Sequence, residues 1–179
     1  MELRHRGKSS MVFPSGPAIL SYASVVGKKE GEGPLRDYFD EIHEDTKFGQ
    51  DSWEQAESRM QALALTRALT KCGGTNADLD VIFAGDLLNQ CIGSGFSLRG
   101  TGVPFYGLYG ACSTMAESLS LAAMAVDGGY ARRAAALTSS HYASAERQYR
   151  LPLVYGGQRT PTAQWTVTGS GCVILGQDG

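Results

Sequence analysis

Residues 103–126 read VPFYGLYGACSTMAESLSLAAMAV, and the fold turns on how this stretch divides. Val103–Tyr109 is apolar and aromatic with Pro104 near its start, which predicts a short strand. Gly110 to Thr114 is a tight turn. Met115–Val126 holds one charge, Glu117, and small or apolar residues on every side, so it predicts a helix buried all round. Thr114 and Glu117 have capping-box spacing, and Gly128-Gly129 supplies the stop. Cys112 therefore falls where a strand turns into a helix. Free N–H groups and the positive end of the helix dipole favour a thiolate there and make it nucleophilic. The same position suits a small buried hydrophobe, and spacing alone leaves both open.

Outward from this unit the pattern repeats. Ser52–Lys71 lacks Gly and Pro; Ser52 with Gln55 forms a capping box and Gly73-Gly74 ends the helix. Ala56, Met60, Leu63, Ala64 and Leu69 supply its buried face, with Glu54, Glu57 and Arg67 on the wet side. Asp80–Asp86 is a short buried strand, 91–102 is a Gly-rich loop, and Ala134–Ser140 is another strand. Residues 141–164 are a long polar segment. Trp165–Gly176 alternates like a strand, and residues 11–26 are extended but broken at Pro14 and Pro17. Between 28 and 51 the chain is charged and Gly-rich. Leu35, Tyr38, Phe39 and Ile42 recur there at helical spacing, which predicts a short amphipathic surface helix. Helices alternating with strands give an α/β class with a mostly parallel sheet.

Composition narrows the function classes. The 179 residues carry 16 Lys+Arg and 18 Asp+Glu, a net charge of −2, unlike a nucleic-acid binder. Hydrophobic residues are 42% and charged residues 19%, as in a folded domain. No apolar run is long enough to span a bilayer, and Met1–Ser10 is too polar for a secretory signal. Cys72, Cys91, Cys112 and Cys172 are too scattered for a metal clip, and His5, His43 and His141 form no HExxH, so no metal site and no cofactor are expected. Gly7-Lys8-Ser9 lacks the first glycine of a phosphate loop. Neither G-x-G-x-x-G nor G-x-S-x-G occurs.

Gly110-Ala111-Cys112-Ser113-Thr114 before a small-residue helix resembles the nucleophile turn of the thiolase and β-ketoacyl synthase superfamily. Four further strings narrow the likeness: Ala84-Gly85-Asp86-Leu87-Leu88-Asn89-Gln90; Thr138-Ser139-Ser140-His141 with Ala145-Glu146-Arg147-Gln148; Tyr155-Gly156-Gly157-Gln158; and Thr166-Val167-Thr168-Gly169-Ser170-Gly171. Together, over nearly the whole chain, they resemble the stage V sporulation protein AD family of spore-forming bacteria. The resemblance implies a thiolase-like fold of which residues 1–179 are the first half, with a central buried helix, covering helices and the second half absent. It implies binding of pyridine-2,6-dicarboxylic acid (dipicolinic acid) for uptake into the developing spore. Other sporulation membrane proteins are the implied partners, at the spore inner membrane or in the cytoplasm. The superfamily's acid/base histidine belongs to the second half, so this half is expected to be non-catalytic. The alternatives are an acyltransferase using Cys112 on a thioester, and a structural subunit of a membrane complex.

The ligand set that the resemblance implies is Asp86, Asn89, Cys112 and His141; Arg147, Arg150 and Arg159 are the expected carboxylate partners, since guanidinium pairs bidentately with carboxylate. On sequence alone Asp86 reads first as a helix cap or turn former, and it is the resemblance that makes it a ligand. As a ligand for a dicarboxylate it requires a proton or a calcium ion. Phe105-Tyr106 and the 91–102 loop are expected to form a slot for the ring. An apolar central helix missing one of its layers predicts a homo-oligomer.

Overall fold

A computed structural model describes residues 4–149, 160–162 and 164–177. Its centre is a six-stranded sheet in which hydrophobic alternation serves two different helices. Strands β3 (Ala18–Gly27), β4 (Glu41–His43), β5 (Val81–Gly85), β6 (Phe105–Leu108), β7 (Arg133–Ser140) and β8 (Gly169–Gly176) lie in the order β4-β3-β8-β7-β5-β6. The β3–β4, β5–β6 and β5–β7 pairs are parallel. Strand β8 inserts antiparallel between β3 and β7. A small antiparallel hairpin, β1 (His5–Arg6) with β2 (Ser10–Met11), precedes the sheet.

Helix α2 (Trp53–Lys71) covers one face and α4 (Thr114–Asp127) the other. On β7, Ala135 and Leu137 face the α2 core, while Ala134 and Ala136 face the α4 core. Likewise Ile82 and Ala84 of β5 point to α2, and Val81 and Phe83 to α4. Such doubly buried strands are continuous apolar runs, as in sheets covered on both faces. Three shorter α-helices lie among the described residues: α1 (Lys28–Gly31), α3 (Ile92–Ser97) and α5 (Tyr142–Tyr149).

The reciprocal capping box of α2 is present, with Gln55 N 3.2 Å from Ser52 Oγ and Ser52 N 3.2 Å from Gln55 Oε1. Several expectations are corrected. Residues 35–42 are no helix: a 3-10 turn, Arg36–Tyr38, leads into edge strand β4, where Ile42 pairs with Val26. The stretch 91–102 is not all loop, since α3 occupies 92–97. The polar segment after 141 begins with α5. Glu57 is not wet but fully buried. Thr114 caps nothing as a box; it is the first residue of α4, and its Oγ1 accepts from Gly110 N (3.1 Å) and donates to Ala111 O (2.9 Å). Nor is α4 buried all round within this chain. The sheet covers one side, while Ala116, Glu117 and Ser120 on the other are exposed.

Candidate functional site

Gly85 ends β5 where the chain leaves the sheet. A Cβ here would lie 2.3 Å from Leu108 O and 2.5 Å from Thr114 Cγ2, so only glycine lets the β6–α4 turn settle against β5. That turn carries Cys112. Ala111 beside it has φ +49°, a left-handed conformation that costs a non-glycine residue about 1 kcal/mol or more. The turn is held by Ser113 N to Gly110 O (3.0 Å), by Ser113 Oγ to the same oxygen (2.7 Å), and by the Thr114 hydroxyl. Cys112 itself is exposed.

Asp86 follows Gly85 on the other side of the same opening. It is 2% exposed. Its carboxylate accepts from Leu88 N (3.2 Å), Gly93 N (3.1 Å), Ser94 N (2.9 Å) and Ser94 Oγ (2.6 Å). It therefore holds the start of α3 and the turn before it, where Gln90 (φ 59°) and Cys91 (φ 52°) are both left-handed. The cap reading of Asp86 describes this geometry. Both oxygens already have donors, and among the described residues no group of three His, Cys, Asp or Glu side chains is placed to hold a metal ion.

Between these walls lies a cleft of about 390 Å³ at the carboxyl ends of β5, β6 and β7. It is lined by Asp86 and Leu87, by Ala111, Cys112, Thr114 and Met115, by Thr138–Ser140, and by Thr166, Val167 and Gly169. Clefts of this kind, outside the carboxyl ends of strands, are where open α/β sheets take ligands. Asp86 and Cys112 thus meet in one place. The other expected residues do not join them. His141 is fully buried; its Nε2 lies 2.8 Å from Thr46 O and its Nδ1 accepts from Ala143 N (3.1 Å), so both nitrogens are engaged. Burial holds its pKa below the ordinary imidazole value and keeps the ring neutral. Asn89 is exposed and donates its backbone N–H to Gln148 Oε1 (3.0 Å). Arg147 turns to Glu54 (2.9 Å). Arg150, Arg159 and Tyr155–Gln158 lie outside the described residues. The expected ring slot is not lined by Phe105 or Tyr106: Tyr106 stacks on Phe83, with centroids 5.3 Å apart, at the exposed edge strand. Leu87, Met115 and Val167 supply the apolar lining instead.

One feature went unforeseen. Beneath the cleft runs a buried polar chain. Glu57 accepts from Ser139 Oγ (3.0 Å) and Ser144 Oγ (2.6 Å); Gln61 Nε2 donates to Ser94 Oγ (3.1 Å) and reaches Gly85 O (3.3 Å); and Ser94 leads to Asp86. Burial, with Asp86 and Glu54 nearby, pushes the Glu57 carboxyl up to about 7. Spacing carried the signal. Residues 57, 61, 64 and 68 continue the same buried stripe as Met60 and Ala64, so two polar residues on it point to an internal network.

With this geometry established, likeness to known proteins becomes informative. The family model for "Stage V sporulation protein AD (SpoVAD)" matches residues 7–179. The chain belongs to the stage V sporulation protein AD family. It is 44% identical over 171 residues to Stage V sporulation protein AD of Bacillus subtilis (strain 168), a match covering 96% of this chain and 51% of that one. The chain spans about half the length of this relative. Solved structures share the fold at lower identity. The priming β-ketosynthase of the R1128 polyketide pathway superposes with TM-score 0.59 at 18% identity, over 90% of this chain and 50% of its own. The 3-oxoacyl-[acyl-carrier-protein] synthase III of Aquifex aeolicus VF5 gives TM-score 0.60 at 14% identity, over 91% and 54%. The chain thus has a thiolase-like α/β fold and corresponds to about half of such a protein. No helix among the described residues is long and apolar enough to cross a membrane.

Proposed function

We propose that this chain contributes a dipicolinate-binding cleft and holds its ligand without turning it over. One observation carries the reading: three of the four strings that mark the family, together with the Cys112 turn, line a single cleft. Its chemistry suits a flat dicarboxylate. The N-terminus of α4 offers N–H groups and a positive dipole end to a carboxylate. Leu87, Met115 and Val167 offer apolar surface to a ring. No histidine among the described residues lines the cleft, and His141 is engaged at both nitrogens, so no described histidine offers Cys112 the proton shuttle that acyl transfer requires. Arginine from α5 is not part of this reading, because Arg147 is paired with Glu54. The exposed side of α4 supports a further covering layer, which a second half would supply. The 179-residue chain by itself self-associates through that side. Action in sporulation with membrane-bound partners, as a peripheral protein, completes the proposal.

Calorimetry of dipicolinate against this chain and against the full-length Bacillus subtilis relative, in chelator buffer, tests it. Saturable binding by the relative, weaker binding by this chain, and an oligomer in sedimentation of the same sample are expected. Acylation of Cys112 by an acyl-CoA, or no binding by the longer protein, overturns it.

A further inference from the structure

The two walls of the Cys112 cleft are tied together from outside, by the last turn of α5. Tyr149 donates its hydroxyl to Leu87 O (2.6 Å), on the Asp86 wall. The same hydroxyl bonds the hydroxyl of Tyr109, three residues before Cys112 on the opposite wall. Tyr109 OH also reaches Leu87 O (3.3 Å). One residue earlier, Gln148 accepts from Asn89 N (3.0 Å) and lies 3.5 Å from Tyr109 OH. Helix α5 begins directly after β7, whose end supplies Thr138–Ser140 as a third wall. A single helical turn therefore bridges two chain segments far apart in sequence, 87–89 and Tyr109, and is itself carried by the strand that forms the third wall.

The Tyr149 hydroxyl is suited to that task. Burial, the Tyr109 hydroxyl beside it and the negative charges of Asp86 and Glu57 push its pKa up to about 12, so it stays a donor at any physiological pH. Tyr149 as a residue is 54% exposed, so its packing contributes little to the core, and the hydroxyl contacts are its distinctive feature.

We propose that Tyr149, acting with Tyr109, is a positioning residue that sets the width of the Cys112 cleft by latching the Leu87 loop to the Cys112 turn. This rests on the reading of the cleft as a site for a flat dicarboxylate, for which a narrow slot is a means of selection. Opening the latch admits bulkier molecules and loosens both walls together. Two hydroxyls and one carbonyl oxygen share the contact: loss of the Tyr109 hydroxyl releases it, and loss of the Tyr149 hydroxyl leaves only the longer Tyr109–Leu87 O bond of 3.3 Å.

Hydrogen exchange and thiol alkylation on the 179-residue chain test this without the ligand. In Tyr149→Phe, amides of 86–91 and of 108–114 are both expected to exchange about fivefold faster, the effect of one lost hydrogen bond. Cys112 should react severalfold faster with a bulky maleimide, while its rate with iodoacetamide changes less. Tyr109→Phe, which also removes the direct bond to Leu87 O, should show both effects at least as strongly, and the double variant should add nothing to Tyr109→Phe. Tyr109→Phe also keeps the proposal testable should Tyr149→Phe fold poorly. Faster exchange confined to 142–149, or an unchanged size preference at Cys112, overturns the latch. Dipicolinate calorimetry on the same variants is a separate arm. Failure of the unaltered relative to bind overturns the ligand reading and leaves the latch result standing. Binding unaffected by Tyr149→Phe, with the cleft shown to widen, removes its role in selection.

Discussion

The Asp86 loop and the Cys112 turn are built alike and finished differently. Each follows a strand end, each opens onto the same cleft, and each contains non-glycine residues in the left-handed region, Gln90 and Cys91 in one and Ala111 in the other. In the first, the polar side chain turns inward and its oxygens are engaged by four donors. In the second, the backbone and the Thr114 hydroxyl hold the turn, and the thiol is left exposed. The lesson is a division of labour. Asp86 acts on the cleft through the loop it shapes, whereas Cys112 is free to meet what enters.

Replacing Asp86 breaks this comparison most severely. Asp86→Ala leaves the Leu88, Gly93 and Ser94 N–H groups without their acceptor at a buried site, each costing about 1–3 kcal/mol when unsatisfied. These losses are not additive, and a destabilisation of roughly 3–5 kcal/mol is expected in denaturant unfolding. Ligand binding should fall with it, because the Leu87 wall moves. A variant of unchanged stability would show that the carboxylate is not the keystone of the loop.

The buried chain behind Asp86 gives the next effect, and it is read by pH. Glu57 titrates near 7 in the folded chain against an ordinary 4.5 when unfolded. The native state therefore holds the proton more tightly than the unfolded one. Stability from this group is highest at low pH, declines as pH rises from about 4.5 to about 7, and then levels off. The whole decline is about 3 kcal/mol at 1.36 kcal/mol per unit. Glu57→Gln, which keeps the Ser139 and Ser144 contacts possible, should remove the decline and raise the melting temperature at pH 8. His141 has the opposite sign: its pKa is lowered on folding, so its contribution is lost as pH falls below the ordinary 6.5. In Glu57→Gln, stability should therefore rise from pH 5 to 7 where the parent is flatter or falls. An identical pH profile in the two proteins would place Glu57 outside the network.

Much of the fold was legible because its signals are local. Ser52, Gln55 and Gly73 bracket α2 within the chain itself, and the apolar runs at 81–85 and 133–140 mark strands buried on both faces. The misreadings arise where a distant partner decides the outcome. The IGSGFS stretch of α3 has poor intrinsic helix propensity and is held by the Asp86 carboxylate reaching across from β5. Leu35, Tyr38, Phe39 and Ile42 match a helical period by coincidence, and pairing of Ile42 with Val26 overrides it. The antiparallel entry of β8 between β3 and β7 is a long-range choice that no window of sequence contains. At the site, the Cys112 turn and the Asp86 strand end were visible as motifs. The partners of Arg147 and His141 were not, because Glu54 and Thr46 lie far away in sequence.

The smallest expected change in stability comes from Cys112, and it sharpens the comparison from the other side. Its thiol is exposed, so Cys112→Ala removes little buried surface and should leave unfolding within about 0.5 kcal/mol of the parent. The distinctive readout is chemical. Cys172 is buried, and burial pushes its thiol far above the ordinary value; burial and the Asp86 charge push Cys91 up as well. Only a thiolate attacks an alkylating agent, so both should react slowly at neutral pH. Cys112 stands in the open at the start of α4 and should be labelled by iodoacetamide at least tenfold faster than Cys172, a margin mass spectrometry resolves site by site. Adding dipicolinate to a sample that binds it should then slow labelling of Cys112 and leave Cys72 unchanged, because the ligand covers the one thiol that lines the cleft. Equal protection of both cysteines would mean a general tightening of the fold, and no protection would place the ligand elsewhere.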